Sequence, residues 1–96
     1  MLEFDGFDWD DGNWPKCGMH GLEKAEIEAA FNDPALIVTP DAAHSVAEQR
    51  WIAIGRSAIS DRWTLVIFAR RGRAIRPVSA RFMHRKEVLR YVGKQG

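Results

Sequence analysis

The chain has 96 residues, of which 14 are Lys or Arg and 13 are Asp or Glu, so its net charge is +1 with the three His neutral. A chain of this length forms one domain with one core and leaves no room for a second lobe. A single Cys excludes an intrachain disulfide scaffold. No apolar run approaches the roughly 20 residues of a membrane helix, and the acidic start lacks the basic region of a signal peptide. We therefore expect one cytoplasmic domain over residues 1–96.

The near-neutral total conceals a strong asymmetry between the two halves of the chain. Residues 1–49 hold 2 Lys or Arg against 11 Asp or Glu, whereas residues 50–96 hold 12 against 2, and ten of those twelve cations are arginines. Arginine binds phosphate through two parallel hydrogen bonds, so the basic half predicts a polyanionic partner, most readily a nucleic acid. The alternative is that the two halves neutralise each other across a mixed surface.

The first third of the chain predicts an extended segment, a loop and a helix. Aromatic and acidic residues alternate over residues 4–10, which is typical of a short strand or an extended lead-in. Gly, Pro and Asn mark residues 11–21 as an irregular loop. Residues 22–31 form one apolar stripe at helical spacing, and Asn32-Asp33-Pro34 ends the helix.

The remaining two thirds predict strands and a final helix. The strands are expected at 36–39, 48–57, 62–70 and 73–82. In the second of them Arg50 and Arg56 lie on one face, at its two ends. A helical stripe follows from Met83 to a stop at Gly93. The fold class is therefore α+β, an antiparallel sheet of three to four strands with an N-terminal and a C-terminal helix.

Pro77 decides the geometry of the last strand. Proline has no N–H to donate to a ladder, so it indicates an edge strand or a bulge. Arg76 and Arg81 are five residues apart, so a single phosphate site that uses both requires a bulge in the strand between them, which we predict. The exposed edge near Pro77, together with Trp14 and Trp63, offers candidate anchors for a protein partner.

The histidines and arginines favour one chemistry over the others. His20, His44 and His84 match no short metal-ligand motif, and no glycine-rich phosphate loop is present. Metal-free cleavage of RNA needs a base for the 2′-hydroxyl, an acid for the leaving 5′-oxygen and cations for the phosphate, which His and Arg can provide. The alternative is that His20 and His84 are turn and helix-start residues and that the arginines are solvated strand ends.

Five short blocks of the sequence occur in a characteristic order. They are Phe7-Asp8-Trp9-Asp10, the loop Gly12-Asn13 through Lys16 to His20-Gly21, Phe31-Asn32-Asp33-Pro34, Glu48-Gln49-Arg50-Trp51-Ile52-Ala53-Ile54-Gly55-Arg56-Ser57 and Ile75-Arg76-Pro77-Val78-Ser79-Ala80-Arg81. This order resembles the BrnT-type toxins over nearly the whole chain. The resemblance implies a RelE-like fold and the toxin half of a type II toxin–antitoxin pair.

The same resemblance implies an activity and its partners. The activity is that of a metal-independent endoribonuclease, without a cofactor, that cuts mRNA either free or on the ribosome and so inhibits translation and growth. The protein partner is a cognate BrnA-like, DNA-binding antitoxin that neutralises the toxin in a hetero-oligomer. No membrane partner is implied.

Two sets of site residues follow, most of them from the positions that match the family; His84 belongs to an extension found in only some members, and Arg73 lies outside the matching blocks. The catalytic set is His20, Glu48, Arg56, Arg81 and His84, where Glu48 is either an alternative base or the group that orients an arginine. The RNA- or phosphate-binding set is Lys16, Arg50, Arg73 and Arg76. Met19 stands where a lysine is usual, and this favours the alternative function, a non-catalytic RNA- or protein-binding relative on the same fold.

Overall fold

The chain forms a four-stranded antiparallel sheet with one helix on each face. The computed structural model describes residues 2–93, and of His44 it describes the backbone only. Helix α1 spans Lys24–Ala30 and α2 spans Arg85–Tyr91; the strands are β1 (Ile37–Pro40), β2 (Trp51–Arg56), β3 (Trp63–Arg71) and β4 (Ala74–Phe82), in the spatial order β1-β2-β3-β4. The predicted α+β class is confirmed. Each helix has seven residues, and none in the described range is long and apolar enough to cross a membrane.

Each face of the sheet has its own hydrophobic core, because β2 and β3 alternate apolar side chains on both sides. On the α1 face, Ile27 and Phe31 pack against strand residues that include Val66 and Phe68. On the α2 face, Val88 and Val92 pack against Ile54, Leu65 and Met83. A buried hydrogen bond from the Ser57 hydroxyl to the Glu26 carboxylate also joins the end of β2 to α1.

The predicted bulge in β4 is confirmed. Ile67 pairs with Ser79 whereas the next residue, Phe68, pairs with Pro77, so the register shifts at this point and Val78 has no partner. Arg81 then lies opposite Leu65, and Arg76 lies opposite Ala69. Leu65 and Ala69 are four residues apart and share a face, and paired residues of neighbouring strands share that face too. Both arginines therefore belong to the α2 face.

The prediction that the sheet is exposed near Pro77 is wrong. A parallel bridge joins Phe7 to Ile75, and the Asp8 N–H donates to the Ile75 carbonyl at 2.7 Å. The Asn13 side-chain amide donates to the Pro77 carbonyl at 2.8 Å. Pro77 lacks a backbone donor, but the Ile75 N–H donates to the Gly6 carbonyl as well, so residues 5–13 cover this part of the edge. We call residues 5–13 the leading segment. Among residues 2–93 the outer strand that lacks such a neighbour is β1.

Candidate functional site

Two arginines of the predicted RNA-binding set hold the leading segment to β4. Arg73 Nε donates to the Asp5 carboxylate at 2.6 Å. Arg76 donates to Asp8 at 3.2 Å and to Asp10 at 3.0 and 2.9 Å, and only 15% of its side chain is exposed. These pairs join the acidic half of the chain to the basic half, as the alternative interpretation of the charge asymmetry proposed.

A partly exposed strip lies on the α2 face between two charged clusters. Ile52, Ile67 and Ser79 pair in a row across β2, β3 and β4, and each is partly exposed. We call this row the open strip. Helix α2 covers the neighbouring residues toward one end of the sheet, where Arg81 lies opposite Leu65. Toward the other end, β3 finishes at Arg71.

The first cluster combines an arginine, a carboxylate and a histidine at the start of α2. Arg81 Nη1 and Nη2 donate to the two oxygens of Glu87 at 2.7 and 2.6 Å, and the backbone N–H of His84 donates to the same carboxylate at 3.0 Å. We call Arg81, His84 and Glu87 the Arg81 cluster. Two of the five N–H donors of a guanidinium are used in this way. Arg81 is 36% exposed, so its remaining donors can reach a ligand.

Glu87 and Arg81 form an ion pair that fixes the position of the Arg81 guanidinium. The hydrogen bonds from Arg81 lower the pKa of Glu87 to about 2, and Glu87 in turn raises the pKa of Arg81. Both side chains are therefore charged at neutral pH. Glu87 is not among the predicted site residues, although its position three residues after His84, at the start of a helix, has the spacing of a capping box.

The lowered pKa of Glu87 predicts how stability depends on pH. Because the pKa falls from 4.5 to about 2 on folding, the stabilising contribution is complete above about pH 4.5 and is lost as the pH falls towards 2. We expect Glu87→Gln to unfold at a lower temperature than the wild type at pH 7, and this difference to vanish near pH 2. Thermal unfolding followed by circular dichroism measures it. Glu23→Gln is the control, since the described residues give its carboxylate no hydrogen bond, and a difference that persists at pH 2 would contradict the prediction.

The second cluster lies at the opposite end of the open strip. Arg71 Nη1 donates to Glu48 Oε1 at 2.7 Å, and Arg50 Nη2 lies 3.6 Å from Glu48 Oε2. We call Glu48, Arg50 and Arg71 the Glu48 cluster. The hydrogen bond from Arg71 lowers the pKa of Glu48, which makes its carboxylate a weak base at neutral pH. Arg71 is also absent from the predicted site residues, because the predicted strand ends at residue 70, whereas β3 continues to Arg71.

Arg56 lies apart from both clusters. It shares a strand face with Arg50, as predicted, but six residues separate the two, which is about 20 Å along a strand. Arg56 Nη2 donates to Asp61 at 2.8 Å in the connection between β2 and β3. One phosphate therefore cannot contact Arg50 and Arg56 together.

The loop that carries Lys16 and His20 packs on the other side of the sheet. Cys17, between them, is buried in the core of the α1 face, and burial raises the pKa of its thiol to about 11. Lys16 and His20 are exposed, and no hydrogen bond or ion pair within residues 2–93 joins them to the Arg81 cluster. In the same range, no group of three or more His, Cys, Asp or Glu side chains is placed to hold a metal ion.

Comparison with known proteins assigns the chain to a family. The family model described as "Ribonuclease toxin, BrnT, of type II toxin-antitoxin system" matches residues 9–87, a range that includes every residue of both clusters. No curated protein matches the chain. A ribonuclease toxin of this type acts on RNA and has an antitoxin partner. Since the match covers most of its length, the chain belongs to the BrnT family of ribonuclease toxins of type II toxin–antitoxin systems.

Proposed function

We propose that the chain cleaves mRNA in the cytoplasm without a metal ion and that the Arg81 cluster is the catalytic centre. One observation carries this proposal: the Glu87 carboxylate binds both the guanidinium of Arg81 and the backbone of His84. A phosphate-binding cation and the backbone of His84 are thus held together beside the open strip, and the His84 side chain is near enough to contribute to the lowered pKa of Glu87. The family supplies the substrate class, which is RNA.

Each residue of the cluster has a separate role. In the reaction, the 2′-oxygen attacks phosphorus, the bond to the 5′-oxygen breaks, and a 2′,3′-cyclic phosphate remains. Arg81 binds the non-bridging oxygens, where negative charge accumulates. His84 moves one proton, either from the 2′-hydroxyl as neutral imidazole or to the 5′-oxygen as imidazolium, and solvent water carries the other. Glu87 positions Arg81.

Glu48 fits the second of the two roles that the sequence allowed. Its carboxylate binds Arg71 closely and Arg50 more loosely, so we propose that it orients these arginines. Lys16 and Arg73 stay predicted RNA contacts. We propose the same role, outside the catalytic centre, for His20 and Arg56, which the sequence predicted as catalytic residues. Arg76 is mostly covered, and its proposed contribution is to keep the leading segment in place.

The non-catalytic alternative depends on Met19. This side chain is 74% exposed on the loop that packs on the α1 face, whereas the Arg81 cluster belongs to the α2 face. Replacing the usual lysine by Met19 therefore leaves the proposed centre intact. We propose that the chain is active, and that its antitoxin is a BrnA-like, DNA-binding protein that silences it in a hetero-oligomer.

The test is cleavage of single-stranded RNA by the purified chain in EDTA, with growth followed on induction. We expect the wild type to leave 2′,3′-cyclic phosphate ends and His84→Ala to be slower by about 10²–10⁴-fold. His20→Ala and Met19→Lys serve as controls and should stay within a few-fold of the wild type.

Different failures lead to different conclusions. If His20→Ala lost RNA cleavage and His84→Ala retained it, the catalytic centre would lie on the loop that carries His20. RNA cleavage that occurs without EDTA and is lost in EDTA would show that the enzyme is metal-dependent. If the chain cleaved mRNA on the ribosome but left free RNA intact, the ribosome would be needed for cleavage. A wild type that neither cleaves RNA nor slows growth would favour the non-catalytic relative.

A further inference from the structure

The Glu48 cluster has a charge imbalance that the Arg81 cluster lacks. In the Arg81 cluster one guanidinium meets one carboxylate through two short hydrogen bonds. In the Glu48 cluster two guanidiniums share one carboxylate: Arg71 is hydrogen-bonded to it, but Arg50 lies 3.6 Å away, beyond hydrogen-bond distance. One positive charge is left over.

Arg50 also has an unused hydrogen-bond donor. Its Nε atom is buried and has no hydrogen-bond partner. Buried donors without an acceptor are rare in proteins and cost free energy. The backbone of Arg50 is firmly held, because its N–H donates to Ser45 Oγ at 2.8 Å and its carbonyl accepts the Asp41 N–H at 2.9 Å. The backbone of Arg50 is thus anchored, whereas its guanidinium is only loosely paired, with the Glu48 carboxylate that Arg71 already binds.

Both cations can reach a ligand on the α2 face. The side chains of Arg50 and Arg71 are 30% and 46% exposed. Arg71 ends β3 on the face that carries Ile67, and Arg50 precedes β2 on the face that carries Ile52. Paired guanidiniums of this kind bind phosphate well, because each offers a planar fork of N–H donors.

We propose that Arg50 and Arg71, held by Glu48, form a second phosphate site that binds the RNA backbone away from the cleaved bond. This inference rests on the proposed function. Arg81 lies opposite Leu65, six residues before Arg71 on β3, which corresponds to about 20 Å. Stacked nucleotides rise by about 3.4 Å each. The two phosphates are therefore several nucleotides apart, and the open strip lies beneath the nucleotides between them.

The proposal predicts that the two arginines matter only for RNA that spans both clusters. The probes are a dinucleotide and a single strand on the order of a dozen nucleotides, both 2′-O-methylated so that they bind without being cleaved. Binding is measured by fluorescence anisotropy at several salt concentrations. We expect Arg50→Ala and Arg71→Ala each to weaken binding of the long strand roughly tenfold and to reduce its salt slope by about 0.7, with no change for the dinucleotide.

Arg70→Ala is the matched control. Arg70 is the neighbour of Arg71 on the same strand, but its guanidinium donates to the Glu3 carbonyl at 2.7 Å, and its replacement removes the same charge. Equal weakening in Arg70→Ala and Arg71→Ala, or equal weakening for both probes, would overturn the proposal. Thermal unfolding of each variant separates lost binding from lost folding.

Glu48→Gln tests the positioning role separately. With unmodified long RNA we expect a raised KM and an unchanged kcat, because the arginines lose their orientation while the Arg81 cluster stays intact. A fall in kcat on the dinucleotide would make Glu48 the base and overturn this role. The binding probes cannot be cleaved, so they test the second phosphate site even if the chain proves not to be a ribonuclease.

Discussion

Arg81→Ala is expected to slow RNA cleavage by about 10²–10³-fold, the usual effect of losing one group that stabilises a developing negative charge. The loss has two causes. The scissile phosphate loses its cation, and the Glu87 carboxylate, which Arg81 holds through two hydrogen bonds, is left unpaired beside an anionic substrate. Single-turnover cleavage of RNA measures the effect, and thermal unfolding shows whether the variant is folded.

A double variant separates these two causes. Arg81→Ala combined with Glu87→Ala removes the repelling carboxylate, so it should recover part of the rate that Arg81→Ala loses. Arg90→Ala is the control for charge alone, because Arg90 is an exposed arginine of α2 to which the described part of the chain gives no ion pair. If Arg81→Ala cleaved RNA at the wild-type rate, Arg81 would not belong to the catalytic centre.

Gly55→Ala is expected to destabilise the fold by about 3 kcal/mol or more, at the upper end of the cost of overpacking a core. Gly55 is buried in β2, and a Cβ atom there would lie 2.1 Å from the Ala30 carbonyl oxygen and 3.0 Å from Leu36 Cδ1. The first contact is with backbone, so relief requires α1 to move away from the sheet. Urea unfolding measures the free energy, and the melting temperature should fall by more than about 10 °C.

Gly72→Ala adds the same methyl group in open space. A Cβ atom at Gly72 meets nothing within 4 Å, but its φ of +59° is unfavourable for alanine, which costs about 1–2 kcal/mol. The two variants therefore compare a steric clash with backbone strain alone. If Gly55→Ala were as stable as Gly72→Ala, the close approach of α1 to β2 would not limit which residue fits at position 55.

The strands and the bulge were predictable because their causes are local. Alternation of apolar residues along β2 assigns Ala53 to one core and Ile54 to the other, and the structure agrees. Pro77 indicated an edge strand or a bulge, and the bulge followed from the hypothesis that Arg76 and Arg81, five residues apart, belong to one site. The first helix starts later than expected because Glu23 is still extended, with ψ of 160°, and helical spacing alone does not determine the first turn.

The pairing of the arginines was not predictable, because it depends on residues far apart in the sequence. Arg76 and its partner Asp10 are separated by 66 residues, and Arg71 and Glu48 by 23. Composition gives the total charge of each half but not which arginine is neutralised. The sequence therefore named Arg76 as an RNA contact and missed Arg71, whereas the structure leaves Arg71 more exposed than Arg76.

The bulge at Val78 also gives a rule for comparing this chain with its relatives. With one extra residue in β4, two side chains on the same face are separated by an odd number of positions, here five. A relative without the bulge needs an even separation to keep both arginines on the α2 face. An insertion or deletion of one residue between these positions therefore keeps both arginines on the α2 face only when the bulge is gained or lost with it. An alignment that places the gap elsewhere assigns one arginine to the wrong side of the sheet.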